Sequence, residues 1–206
     1  MGMWTAKMKG RDIVVSSDRL ARLRRFWVPN SDLSARMSEL LWLDIYVLEQ
    51  ESGISAPEVL EAVNNLEDGE LHNGVKPATQ FRNLPLKGLW HKHFSPAHFL
   101  VNNLLLGLGK NGLKTLVEEA LDPSKSSVIT QGMIDELAYR VAYEPVENRC
   151  REGKMTGEWL IFAKHDGKNY YLCLNSHGVG DQFIYDRIMT YCTNEFPKLA
   201  EWVSAS

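Results

Sequence analysis

Three of the six histidines, His91, His93 and His98, fall within eight residues of the stretch Pro85-Leu-Lys-Gly-Leu-Trp-His-Lys-His-Phe-Ser-Pro-Ala-His98. Imidazole titrates near neutrality, so a histidine group can both take and return a proton, and a nearby lysine can hold an anion. A second histidine-bearing stretch runs from Lys164-His165 to His177. Together they fit RNA cleavage by the substrate's own 2′-hydroxyl, which needs a base, an acid and a cation for the charged intermediate. The candidates are His91, His93 and His177 as the acid/base set, Lys92 or Lys164 as cation, and Tyr171 as a positioning hydroxyl. No cofactor is needed for that chemistry. The turn-rich loop from Gly69 to Lys87 adds Lys76, Gln80 and Arg82 as substrate contacts, and the sharp loop at Asn175-Ser-His-Gly-Val-Gly180 adds Ser176.

The same residues admit a metal reading. His-x-His on a strand puts two rings on one face, so His91 and His93 could form half of a zinc site, completed by His98 or His177 and the Asp181 carboxylate. A third reading has no catalysis at all: an inhibitor, immunity factor or phage accessory protein. Its surfaces would be the basic segment Arg19-x-x-Arg22-x-Arg24-Arg25-Phe26-Trp27 or the acidic helices after it.

Periodicity sets how these groups are positioned. Leu89 to Phe94 suits a short strand, with His91 and His93 on one side and Trp90, Lys92 and Phe94 on the other. Ser95 then caps a helix whose first residue is Pro96, placing His98 in its first turn. Trp159 to Leu174 is a hairpin around the Asp166-Gly167 turn. Its register predicts Phe162 opposite Tyr171, Lys164 opposite Asn169, and Trp159, Ile161, Ala163 and His165 sharing a face with Leu174, Leu172, Tyr170 and Lys168. Helices are predicted from Ser16 to Trp27 with Leu20, Leu23 and Phe26 inward, from Ser31 to Ser52, and from Ser55 to Asp68, where a capping box and a proline mark the start. Further helices follow from Ser95 to Leu106, Leu113 to Leu121, Gln131 to about Ala142 with Thr130 as its cap, Asp181 to before Pro197, and Leu199 to Val203. Met1 to Asp12 carries little pattern, and Glu144-Pro145 to Gly153 reads as a linker.

Leu86-Lys-Gly-Leu-Trp-His-Lys-His-Phe94, Glu158-Trp-Leu-Ile-Phe-Ala-Lys-His165 and Tyr170-Tyr-Leu-Cys-Leu-Asn-Ser-His177 resemble the phage and toxin nuclease domains grouped with barnase, colicin and RelE-type ribonucleases. The resemblance covers residues 85 to 190. It implies helices on a small antiparallel sheet and metal-free RNA cleavage by dispersed His, Lys/Arg, Ser/Thr and Tyr residues. The long helix after the hairpin departs from that pattern, since such domains continue with sheet strands.

Composition bounds the rest. The 206 residues, 44% apolar and 24% charged, are enough for one α+β domain with a substantial core: a helical part at residues 1–68 and a site-bearing part at 85–196. Net charge is −3, but residues 1–28 hold seven Lys/Arg against two aspartates, and residues 32–70 hold ten carboxylates against Arg36. Three scattered cysteines make no disulfide framework, and Cys173 and Cys192 are expected in the core. No apolar run is long enough to span a bilayer and no signal peptide is evident, so a cytoplasmic protein without membrane contact is expected. RNA or another nucleic acid is the expected partner.

Overall fold

The computed structural model describes residues 2–8, 11–69, 77–94, 104–124, 126, 128–151, 158–176 and 178–204. The chain is α+β and divides into two compact units, one made of residues 1–94 with 158–206, the other of 95–157.

The first unit opens with an antiparallel pair, β1 (Met3–Met8) and β2 (Arg11–Ser16), running from Met3 opposite Ser16 to Met8 opposite Arg11. This corrects the expectation of little order here. Ile13 and Val15 point inward and alternate with exposed Asp12 and Val14, a strand period too short to stand out in a segment full of Lys, Thr and Met. Ser16 caps α1 (Ser17–Trp27) by accepting from the Arg19 amide. Leu20 is buried, but Phe26 is 73% exposed rather than packed inward.

The helix expected over Ser31 to Ser52 is two: α2 (Ser31–Ala35), capped by Asn30, and α3 (Glu39–Ser52), capped by Ser38. Residues 36–38 leave the helix to serve as an extra strand. The Tyr171 amide donates to the Arg36 carbonyl at 2.8 Å, the Ser38 amide donates to the Tyr171 carbonyl at 2.9 Å, and Met37 pairs in parallel with Tyr171. Backbone groups on a buried sheet edge require partners, and that demand outweighs helix propensity over three residues. Next, α4 (Ala56–Glu67) starts at the expected capping box of Ser55 and Glu58.

The main sheet is antiparallel throughout, in the order β3 (Thr79–Gln80), β4 (Trp90–Phe94), β5 (Glu158–His165), β6 (Lys168–Ser176). Phe162 lies opposite Tyr171 and Lys164 opposite Asn169, as predicted. A bulge between Ile161 and Phe162 shifts the rest, so Ile161 meets Cys173 and Trp159 meets Asn175, not the leucines expected. Leu160, Ile161, Phe162, Leu172 and Cys173 are fully buried, because both faces are covered. On the Tyr171 face α4 receives the tyrosine hydroxyl. On the other face, Trp202 of α9 (Leu199–Ser204) stacks on His165 at 4.5 Å and meets Tyr170, while α8 (Asp181–Cys192) buries Ile184, Ile188 and Cys192. Gly88 has φ +95°, and its α-carbon faces the Val203 carbonyl of α9 so closely that a Cβ would sit 2.2 Å from the oxygen.

Among the described residues of the second unit, 104–108 are helical and three helices follow: α5 (Gly112–Ala120), α6 (Gln131–Ala142) and α7 (Glu144–Arg151). The expected linker at Glu144 is therefore helix. Arg140 joins all three, pairing with Glu119 at 2.7 Å and Glu144 at 3.5 Å.

Candidate functional site

His91 and His93 do share one side of β4, with ring centroids 5.3 Å apart. They sit in an aromatic cluster: His91 lies 4.5 Å from Phe81 and 5.0 Å from Trp159. Each ring has a neutral partner at its Nε2, Thr79 Oγ1 at 3.3 Å for His91 and the donating Trp159 indole at 3.3 Å for His93. The cations expected to assist them are elsewhere. Lys92 is 4% exposed on the opposite face, where burial lowers its pKa, and Lys164 lies on that same opposite face with its ammonium 3.8 Å over the Trp90 ring.

Tyr171 is also turned away from the histidines and is fully buried. Its hydroxyl donates to Glu67 at 2.6 Å, and burial together with that carboxylate pushes its pKa far up. Glu67 binds the Arg36 guanidinium through both oxygens, and Arg36 also donates to the Asn169 carbonyl at 2.7 Å. Burial alone would raise the Glu67 carboxyl, but the bonds from Arg36 and Tyr171 hold it below its usual range. These three residues therefore tie the strap at 36–38 to α4 and β6. Lys164 and Tyr171 thus do not meet His91 and His93, and Lys92 lies on the far side of β4, where strand alternation puts it.

Arg82 is exposed in the turn after β3, and the Gln80 amide donates to the Gly88 carbonyl. His98, His177 and Lys76 lie outside the described residues, as does the Ser176 side chain. Among the described residues, no three His, Cys, Asp or Glu side chains gather as metal ligands. Cys173 and Cys192 are buried thiols, as expected; burial pushes Cys192 up to about 12.

A concave site elsewhere in the first unit involves none of these histidines. A cavity of about 520 Å³ lies between β1, α3, α8 and the start of the β5–β6 pair. Its apolar wall comes from Leu40, Leu43, Val47 and Leu174, and Trp4, Phe183 and Tyr191 line its aromatic side. Phe183 and Tyr191 are 58% and 43% exposed, and the Trp4 and Tyr191 rings are 4.9 Å apart. Trp4 is held by its indole N–H, which donates to Glu39 at 2.6 Å.

Asp44, Glu158, Asn175 and Arg187 also line this cavity. Asp44 accepts the Leu174 amide at 3.0 Å and the Arg187 guanidinium at 2.5 Å, with only 12% of its side chain exposed. Arg187 also approaches the Asn175 side-chain oxygen at 3.4 Å. Burial raises the Asp44 carboxyl, while Arg187 and the Leu174 amide oppose that rise. Glu158 has no cationic partner among the described residues; burial raises its pKa, and the Asp44 charge adds to the rise.

The ten carboxylates of residues 32–70 read in the sequence as the acidic outside of a helical pair, which hides this site. Instead Asp44, Glu67, Glu39 and Glu51 bind Arg187, Arg36, Trp4 and Arg11. A usable signal was present. Leu40, Leu41, Trp42, Leu43, Ile45 and Val47 surround Asp44 on a helix that is apolar on nearly every side, so that carboxylate had to be partly buried.

No protein-family model, curated protein or solved structure matches the chain. Among the described residues, no helix is long and apolar enough to cross a membrane.

Proposed function

We propose that this chain is a binding protein for a small amphipathic molecule, taken into the cavity between β1, α3, α8 and the β5–β6 pair. One observation carries the reading: exposed aromatic side chains at the opening of an apolar cavity whose polar groups, Asp44, Glu158, Asn175 and Arg187, converge in one place. Solvent-facing rings such as Phe183 gain from being covered, and a few fixed polar groups orient what covers them. The volume of about 520 Å³ suits a ligand of drug size.

The test is a thermal-shift panel of aromatic and aliphatic amphiphiles on the full chain, alongside Leu48→Trp, which places an indole into the cavity. Ligands are expected to raise the melting temperature of the parent and not of the variant. A panel that shifts neither, or both equally, overturns the reading.

A second reading, metal-free hydrolysis of RNA, is favoured by the adjacency of His91 and His93 on one half-buried face. It predicts RNA cleavage that survives chelator and is lost in both His91→Ala and His177→Ala. Cleavage unchanged by these substitutions removes it.

A further inference from the structure

Two cations, Lys7 and Arg187, and two carboxylates, Asp44 and Glu158, line the cavity, but they are unevenly paired. Arg187 is engaged by Asp44 and approaches Asn175, so its positive charge is already met within the protein. Lys7, at the strand side, sits opposite Asp12 in the β1–β2 register, and directly opposed residues share a face. What remains is the Glu158 carboxylate, between an apolar wall and the like charge of Asp44, with no ion pair to any described cation although Lys7 and Arg187 line the same cavity. A charged group in apolar surroundings is costly until a counter-charge arrives.

The aromatic groups point to the same counter-charge. Trp4, Phe183 and Tyr191 line the cavity with Glu158, and an aromatic face attracts a cation through its quadrupole. An anionic ligand would meet Glu158 and Asp44 with the wrong sign. A neutral ligand would cover the half-buried Glu158 carboxylate without meeting its charge.

Resting on the binding reading above, we infer that the ligand's head group is an organic ammonium, seated between the Glu158 carboxylate and the rings of Trp4, Phe183 and Tyr191, with its apolar body against Leu43 and Val47.

A matched series tests this by calorimetry on the full chain near neutral pH: tryptamine, tryptophol and indole-3-propanoate, which differ chiefly in head-group charge. Tryptamine is expected to bind about tenfold more tightly than tryptophol, the scale of one cation–aromatic contact or partly screened ion pair, with indole-3-propanoate weakest. Glu158→Gln is expected to abolish that advantage by weakening tryptamine more than tryptophol. Phe183→Leu, at an exposed position that does not risk the fold, is expected to weaken tryptamine more than tryptophol. If tryptophol or indole-3-propanoate binds as well as tryptamine, or the advantage survives both substitutions, the ammonium assignment is overturned and the cavity reading stands. If none of the three binds while neutral amphiphiles raise the melting temperature, the ammonium assignment alone falls. If no amphiphile of any charge binds, both fall.

Discussion

The Asp44 carboxylate in α3 grips the Arg187 guanidinium in α8 at 2.5 Å and takes the Leu174 amide of β6 with its other oxygen. One side chain thus joins three elements beside the cavity. Removing one partner of a mostly buried pair leaves the other charge stranded, whereas removing both replaces it with packing. Arg187→Met is expected to cost about 3 kcal/mol of unfolding free energy in urea, and Asp44→Leu with Arg187→Met distinctly less. A double variant as unstable as the sum of the singles would show that the two residues do not act as a pair.

Stability should respond to pH in opposite senses at two carboxyls. Glu158 has a folded pKa above its ordinary 4.5, because of burial and the nearby Asp44, with Arg187 and Lys7 the cations facing the same cavity. Its ionisation therefore penalises the folded state as pH rises above 4.5, and fully so once pH exceeds the raised value. The stability gained by Glu158→Gln over the parent should grow across that window and then level off. Glu67 is held below 4.5, so its contribution is present above that pH and is lost as pH falls through the lower folded value. Denaturant titrations of Glu158→Gln, Glu67→Gln and parent at a series of pH values check both signs.

The hydroxyl of the fully buried Tyr171 bonds to the half-buried Glu67 carboxylate. Tyr171→Phe should lower stability by about 1–3 kcal/mol, the usual cost of depriving a buried charged group of a hydrogen bond. The ring remains, so the sheet stays packed and circular dichroism should be unchanged. A loss near zero would place the anchoring of Glu67 wholly in Arg36.

His93 accepts the Trp159 indole proton at Nε2, so in its neutral form the ring must carry its own proton on Nδ1. Nitrogen-15 NMR of histidine-labelled protein above neutral pH should report that tautomer for His93. Observation of the Nε2–H form would contradict the hydrogen bond.

Gly88 sits at φ +95° against the Val203 carbonyl. Gly88→Ala should destabilise by about 2–3 kcal/mol or more through left-handed strain and a backbone collision. The equivalent change at Gly109, which is at φ +70° with open space around it, should cost less, since only the strain term applies there. Melting temperatures of the two variants compare the terms directly.

Local chemistry was legible from the residues alone. The Asp166-Gly167 turn, the capping box at Ser55, the Thr130 cap and the sides of β4 depend on neighbours a few positions apart, and each appears as expected. The misses came from long-range demands. The helix break at 36–38 is set by the edge of β6, the hairpin shift by a bulge, and the candidate site by α3 meeting α8 and β1, which no periodicity in any one segment reveals. The histidine-rich stretch stands out in the sequence because its residues are chemically rare, while Asp44 and Glu158 belong to common types whose surroundings alone set them apart.

The strap at residues 36–38 has a consequence for how the protein is made. Its hydrogen-bonding partner is Tyr171, which leaves the ribosome more than a hundred residues later. Until then the early helices hold an open backbone ladder waiting for a distant strand, and closing so large a loop is slow compared with forming helices. Nascent chains of this protein should therefore need protection from one another for most of their synthesis, and a fragment stopping short of β6 should be a sticky, unfinished object.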